Sequence, residues 1–423
     1  MERIAIEGGH RLNGSLRIHG AKNAALPILA ASVMAHGESI IEDVPDLQDI
    51  QVMEQILNQL GAKTTRKGST IRVDASMLTS TEVPDNLMRQ MRSSIFLMGP
   101  ILARYGQVRV SAPGGCSIGS RPIDLHLKGL QALGAKIEES HGFIECTATR
   151  LTGANIYLDL PSVGATENLI MAAVYADGVT VIGNAAREPE IVDLANYLNA
   201  MGAKVHGAGG ASIIIEGVDR LQGVPYKIIP DRIVTGTMML AGAITQGDVT
   251  LSNTNADHLG VVITKLREVG ATVLVENDLI RVKADGRPLA VDRIQTAYYP
   301  GFPTDMQSPF MALLTVAKGT SVITESIFEG RYKHVSELRR MGARIKVDLR
   351  SALVEGVPEL TGAVVEATDL RGGAALILAG LAAKGITYVE KVQHIDRGYE
   401  SAEEMFGQLG ANIWRVRPGE SVS

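Results

Sequence analysis

Two kinds of apolar segment alternate along this chain. The first kind is hydrophobic nearly all round and occupies residues 24–35, 93–103, 165–176, 235–245, 308–317 and 374–383. A segment apolar on every side predicts a helix with no face toward water. The second kind is amphipathic, as in Val52-Met-Glu-Gln-Ile-Leu-Asn-Gln-Leu60, with apolar positions at helical spacing. Each amphipathic segment runs into a hydrophobic residue followed by Gly-Ala: Leu60-Gly61-Ala62, Leu133-Gly134-Ala135, Met201-Gly202-Ala203, Val269-Gly270-Ala271, Met341-Gly342-Ala343 and Leu409-Gly410-Ala411. These glycines stand 73, 68, 68, 72 and 68 residues apart and are placed to end a helix in a left-handed conformation. Alternating stretches follow, such as Ala343-Arg-Ile-Lys-Val-Asp348, which predict strands, often with a turn and a second strand.

A second series of glycines, Gly37, Gly106, Gly178, Gly247, Gly319 and Gly385, closes the all-apolar segments and opens further strands such as Val249-Thr-Leu-Ser252. Recurrence at this period marks a repeated structural unit. Each unit reads as a buried helix, a strand, an amphipathic helix and a pair of strands. The expectation is an α/β (α+β) protein with six such units in two domains of three. Length agrees, because 423 residues exceed what one ordinary core holds.

Polar residues gather where the buried helices begin: Lys22-Asn23, Arg89 and Arg92, Ser162-Val163-Gly164, Asp231-Arg232, Asp305, and Asp369-Leu370-Arg371. Helix N-termini carry unpaired N–H groups and partial positive charge, which suit phosphate and carboxylate. Asp and Ser there also serve as plain caps. Lys and Arg oppose the dipole and need another reason, which points to an anion-binding cleft. Lys plus Arg number 41 against 46 Asp plus Glu, a formal charge of −5 without the basic excess of a nucleic-acid-binding protein.

The two cysteines, Cys116 and Cys146, make no disulfide framework, and no Cys/His spacing suggests a metal. Cys146 lies in the strand-like run Phe143-Ile-Glu-Cys-Thr147 and reads as structural. Cys116 lies in Ala-Pro-Gly-Gly-Cys-Ser-Ile-Gly-Ser-Arg-Pro, residues 112–122, where proline and glycine exclude regular structure. Two readings stay open from the residues alone: a reactive thiol with Arg121 favouring thiolate or binding an anion beside it, or a surface thiol without a role. Met1-Glu-Arg-Ile lacks a basic and then apolar signal segment, and no apolar run reaches the ~18 residues of a membrane helix. A cytoplasmic protein without membrane insertion is expected.

With these residues laid out, the chain resembles the UDP-N-acetylglucosamine 1-carboxyvinyltransferase family of enolpyruvyl transferases over essentially its whole length. The phrases that carry the resemblance are Gly-Ala-Lys-Asn-Ala-Ala-Leu-Pro (20–27), Met-Arg-Ser-Ser (91–94), Pro-Gly-Gly-Cys-Ser-Ile-Gly-Ser-Arg-Pro-Ile-Asp-Leu-His (113–126), Asn-Ala-Ala-Arg-Glu-Pro-Glu-Ile-Val-Asp (184–193), Gly-Phe-Pro-Thr-Asp-Met-Gln (301–307) and Asp-Leu-Arg-Gly-Gly (369–373). The resemblance implies a two-domain inside-out α/β barrel with three units per domain. One domain is 22–229 and carries the Cys116 loop; the other is 1–21 with 230–423, and the active site lies in the cleft between them. The implied reaction moves the enolpyruvyl group of phosphoenolpyruvate to the 3-hydroxyl of UDP-N-acetylglucosamine and releases phosphate. That is the first committed step of peptidoglycan precursor synthesis, hence a step serving cell wall, cell shape and division, and a fosfomycin target.

The resemblance further implies that Lys22, Asn23, Arg92, Arg121 and Arg397 hold phosphoenolpyruvate and its departing phosphate. It implies that Cys116 protonates the enol carbon, that Asp305 binds and deprotonates the acceptor hydroxyl, and that Asp369 is a second acidic partner beside Leu370 and Arg371. Arg121, Pro122, Ile123, Asp124 and Leu125, with Ser162, Val163, Gly164 and Ile327, match contacts to the nucleotide sugar, and Arg331 matches a further arginine near the site. No cofactor or metal is implied, and the partners are the two small substrates. The chain departs from the family phrase at Gly330, where Asn is usual, and in Asn253-Thr-Asn-Ala-Asp-His258. Two other readings remain beside this one: the sister enolpyruvyl-shikimate-phosphate synthases, which typically lack the cysteine loop, and an inactive repeat scaffold, which predicts loss of the charged set.

Overall fold

The computed structural model describes residues 2–111 and 123–417, and for residues 92 and 93 the backbone alone. Helices and strands alternate through it in a mixed α/β fold. The all-apolar segments form buried helices: Lys22–Ala31, Val163–Ala173, Arg232–Ile244, Gln307–Thr315 and Leu370–Ala382 expose little beyond their ends. The segment at 93–103 divides into a 3-10 turn, Arg92–Leu97, and a helix, Met98–Tyr105. Pro100, with no N–H to donate, sits in the first turn of that helix, where none is needed.

The glycines of the Gly-Ala phrases behave as their spacing predicts. Gly61, Gly134, Gly202, Gly270, Gly342 and Gly410 all have φ between 88° and 108° and directly follow the cap of an amphipathic helix. The second series holds positive φ at every member except Gly247. There Gln246 takes the left-handed turn at φ 56°, and Gly247 answers a different need. A Cβ at Gly247 would lie 2.2 Å from the carbonyl oxygen of Leu12, so the strand from the amino terminus could not come alongside.

Among the described residues the chain divides into two compact units, residues 2–19 with 230–417 and residues 20–111 with 123–229. In the first unit three four-stranded sheets surround Arg232–Ile244, Gln307–Thr315 and Leu370–Ala382. Strand Arg3–Glu7 fits between Ile386–Glu390 and Asn412–Val416, antiparallel to both, with Ile4 opposite Val389 and Arg415. Strand Asn13–Arg17 runs parallel to Asp248–Ser252. The second unit has two four-stranded sheets, one of three strands and a short pair, with a core centred on Lys22–Ala31, Met98–Tyr105 and Val163–Ala173. No sheet of described strands closes on itself. Each wholly buried Leu or Ile in these helices contributes about 1.5–3 kcal/mol relative to exposure, and strand residues such as Ile4, Leu251, Ile71 and Ile182 pack with them in the two cores. No described helix is long and apolar enough to cross a membrane.

Candidate active site

In the unit of residues 230–417, charge gathers where two buried helices begin. Asp369, extended at φ −165°, caps Leu370–Ala382: its Oδ1 accepts from the amides of Arg371 and Gly372, each at 3.0 Å. Its Oδ2 accepts from the Thr368 hydroxyl at 3.1 Å. The cap fixes the first turn and so aims Arg371, which is 6 % exposed, at Asp305. Asp305 is held in the 3-10 turn Thr304–Met306 that leads into Gln307–Thr315. Its Oδ2 accepts from Nε and Nη2 of Arg371 at 3.1 and 2.9 Å, and its Oδ1 accepts from Nη2 of Arg331 at 2.6 Å.

Burial raises the Asp305 pKa, but the charges of Arg371 and Arg331 outweigh it and hold the group far below the usual carboxylate range. So weak a base accepts a hydrogen bond well and a proton poorly while both arginines are engaged. The Asp305 side chain is still 26 % exposed, so its carboxylate is reachable. Arg331 is 2 % exposed, and its Nε and Nη1 have no protein acceptor among the described residues. Arg371 donates from Nη1 to the buried Tyr399 hydroxyl at 3.3 Å, which pairs in turn with the Thr237 hydroxyl at 2.9 Å.

His334 is wholly buried beside this cluster, and neither ring nitrogen makes a hydrogen bond of good geometry. Burial pushes its pKa down to about 4, against the pull of the Asp369 charge. Leu370 packs over Gly398, where a Cβ would lie 2.7 Å from the leucine Cδ2. The neighbouring Arg397 is half-buried, and after burial itself its charge is the main influence lowering the pKa of His394. Ile327 donates its amide to Glu325 at 2.8 Å. Asp305, Arg331, Asp369, Leu370, Arg371 and Arg397 are thus gathered at one end of the buried helices.

The unit of residues 20–229 gathers a second set. Lys22 opens Lys22–Ala31 and is buried with its Nζ 2.6 Å from Asp49 Oδ2, so a carboxylate accompanies the ammonium where the dipole disfavours it. Asn23 beside it is exposed. Ser162 caps Val163–Ala173, its Oγ accepting from the Ala165 amide at 3.3 Å. Ile123 and Leu125 are half-buried and Asp124 exposed where the helix Asp124–Ala132 begins.

Asn168 joins these segments. Its Oδ1 accepts from the Gly99 amide at 2.7 Å, while its Nδ2 donates to the Ile95 carbonyl at 3.0 Å and meets Nδ1 of His126 at 2.9 Å. His126 must then accept at Nδ1 and carry its proton on Nε2, and burial lowers its pKa to about 4. A Cβ at Gly164 would come 3.1 Å from the His126 ring and 3.3 Å from Phe96. Ser162–Gly164, residues 123–126 and the Arg92–Leu97 turn therefore share one place in this unit.

Cys116, Arg121 and Pro122 lie outside the described residues, as does the side chain of Arg92. Cys146 is buried in strand Phe143–Thr147, its thiol pushed up to about 12 by burial and then by Glu139 and Glu145. Sequence reasoning missed Asn168, Glu325, His334 and Tyr399. Their partners are distant in sequence, and nothing in the local pattern singles them out.

A sequence model of the EPSP synthase (3-phosphoshikimate 1-carboxyvinyltransferase) family matches residues 6–406. Two similar curated relatives each bear the name UDP-N-acetylglucosamine 1-carboxyvinyltransferase 2. The one from Carboxydothermus hydrogenoformans is 55% identical over 418 residues, covering 98% of this chain and all of the relative. The one from Caldanaerobacter subterraneus subsp. tengcongensis is 53% identical over 416 residues, with the same coverage of both. Among solved structures, the enolpyruvyl transferase NikO from Streptomyces tendae superposes with a TM-score of 0.89 at 27% identity, covering 98% of this chain and 99% of that one.

Proposed function

This chain belongs to the family of enolpyruvyl transferases, and on that premise we propose that it transfers the enolpyruvyl group of phosphoenolpyruvate to the 3-hydroxyl of UDP-N-acetylglucosamine, releasing phosphate. One observation carries the reading. In a chain 53–55% identical end to end to relatives of that name, a reachable carboxylate, Asp305, is fixed between two buried guanidiniums whose charge suits an anionic substrate.

The chemistry assigns a role to each group. The acceptor oxygen bonds to the substituted enol carbon while a proton, from the Cys116 thiol in this reading, reaches the terminal carbon. The C–O bond to phosphate then breaks, a proton leaves the new methyl group, and the enol double bond re-forms. An acid and a base must therefore flank the substrate, and fixed charges must stabilise the cationic carbon and the leaving phosphate. Lys22, Arg92, Arg121 and Arg397, with Asn23, take the phosphate. Asp305 orients the acceptor hydroxyl and becomes a competent base only as its arginines turn to the substrate. Asp369 takes part in proton transfer beside Leu370 and Arg371. Residues 121–125, Ser162–Gly164 and Ile327 hold the nucleotide sugar. The product serves peptidoglycan precursor synthesis in the cytoplasm.

The same proposal extends to architecture. The succession of buried helix, strand, amphipathic helix and strand pair, as in Gln307–Thr315, Thr320–Thr324, Val335–Arg340, Arg344–Asp348 and Ser351–Glu355, supports reading six copies of one unit. We read three of them as an inside-out α/β barrel in each transferase domain, 22–229 and 1–21 with 230–423.

A phosphate-release assay with phosphoenolpyruvate tests the reaction by comparing acceptors. Turnover with UDP-N-acetylglucosamine and none with shikimate 3-phosphate is the expected result. The reverse preference would make the protein a shikimate-pathway transferase, and release with neither would leave a scaffold.

A further inference from the structure

We propose that Glu325 is a positioning residue that locks the two chain segments carrying Asp305 and Arg331 into one register, and through them sets acceptor binding. The inference rests on the enolpyruvyl transfer reading above. Glu325 directly follows strand Thr320–Thr324 and is 0 % exposed. A carboxylate so placed is costly unless its oxygens are hydrogen-bonded, and four donors meet it. Oε1 accepts from the amides of Ile327 and Phe328 at 2.8 and 3.0 Å and from the Thr296 hydroxyl at 2.8 Å. Oε2 accepts from the Thr304 hydroxyl at 2.9 Å. All four donors are uncharged, so the carboxylate organises backbone rather than neutralising a cation.

The positions of those donors give the arrangement its meaning. Thr304 immediately precedes Asp305. Ile327 and Phe328 begin the turn that ends at Arg331, and Arg331 returns to Asp305 with Nη2 2.6 Å from Oδ1. Glu325, Thr304, Asp305, Arg331 and the 327–328 backbone therefore form a closed ring of covalent and hydrogen-bonded links. Thr296 braces the ring, since its hydroxyl also accepts from the Ser326 amide at 2.8 Å. Arg350 braces it from the other side, its carbonyl accepting from the Glu325 amide at 2.8 Å and its Nη1 donating to the Ser326 carbonyl at 2.9 Å. Without the carboxylate, Thr304 and the 327–328 backbone lose their common anchor, which loosens the register between Asp305 and Ile327 and so weakens acceptor binding, although Arg331 and Arg371 still hold the Asp305 carboxylate.

The test is steady-state kinetics on the full chain, varying UDP-N-acetylglucosamine and phosphoenolpyruvate separately, with a thermal melt of each variant. Glu325→Ala should raise the KM for the nucleotide sugar about 10-fold or more, the size expected from removing a buried hydrogen-bonded charge. The KM for phosphoenolpyruvate should move less than about threefold on the same scale. Glu325→Gln should restore the KM to within about threefold of wild type, because an amide oxygen replaces Oε1 and its NH₂ can donate to the Thr304 hydroxyl. If Glu325→Ala does not fold, Thr304→Val, which removes only the Oε2 bond, should still raise the nucleotide-sugar KM about threefold. Equal changes in both KM values, a drop in kcat alone that follows the folded fraction, or an unchanged KM in Thr304→Val would overturn the inference while wild-type turnover stands. Wild-type protein inactive with this substrate pair would overturn the functional reading itself, and the role of Glu325 with it.

Discussion

Asp305 shows how one residue can serve both chemistry and stability. The family resemblance implies that it binds and deprotonates the acceptor hydroxyl. In the structure it is also the counter-charge for two guanidiniums that are 2 % and 6 % exposed. Asp305→Ala is therefore expected to lower turnover by roughly 10²-fold and to destabilise by about 2 kcal/mol or more, since it strands buried charge. Asp305→Asn keeps an acceptor between the arginines and should lose the same turnover with a smaller fall in melting temperature. Equal melting temperatures for wild type and Asp305→Ala would contradict the structural half of this view. Two other buried groups set opposite pH dependences. Asp193 accepts from the Tyr226 hydroxyl at 2.6 Å and from the Ile229 amide at 3.2 Å, yet burial raises its pKa to about 6. Folded protein then binds more protons than unfolded between the unfolded carboxylate value and about 6, so this group makes stability fall as pH rises through that window. His126, lowered to about 4, binds fewer protons when folded and makes stability rise from about 4 to its unfolded value of 6.5. Melts across this range should show Asp193→Asn gaining stability with pH more steeply than wild type, and His126→Gln less steeply. Slopes that shift the other way would refute the assignments.

At the scale of elements, two of the buried helices are capped by proposed site residues, Ser162 and Asp369, so capping and chemistry meet in the same side chains. Asp231 accepts from the amides of Ile233 and Val234 at 2.8 and 2.9 Å, as Asp369 does for its own helix. Capping alone explains the position of Asp369, and a single substitution separates that duty from proton transfer. Serine caps about as well as aspartate but is no acid or base near neutral pH. Asp369→Ser should stay within about 0.5 kcal/mol of wild type in denaturant unfolding, while turnover falls roughly 10²-fold. A variant with normal turnover would reduce Asp369 to a cap. This is also the scale at which the sequence was most legible. Gly61 and its five counterparts announce their helix ends because a positive φ demands a particular residue. Gly247 sits in the same series but is glycine for the approach of the Leu12 carbonyl, a contact between residues 235 apart that no local pattern records. Glu325 and Asn168 went unread for the same reason, since each matters through the distant segments it joins.

Over the whole molecule, the two units each bury their own apolar helices, and each holds polar residues proposed for the site. One cluster joins Asp305, Arg331 and Arg371; in the other unit Lys22 pairs with Asp49 and Asn168 with His126. A cluster of arginines around a carboxylate suits several anionic substrates, so geometry alone does not choose the acceptor. The 53–55% identity to named relatives across the whole chain narrows the choice, and the product decides it. The most direct measurement is to incubate the protein with phosphoenolpyruvate and UDP-N-acetylglucosamine and identify the product by mass spectrometry and proton NMR, with phosphate counted in parallel. The expected result is a vinyl ether on the 3-oxygen of the sugar, formed one for one with phosphate. Phosphate without that product, or enolpyruvyl transfer to another position or to shikimate 3-phosphate instead, would contradict the account.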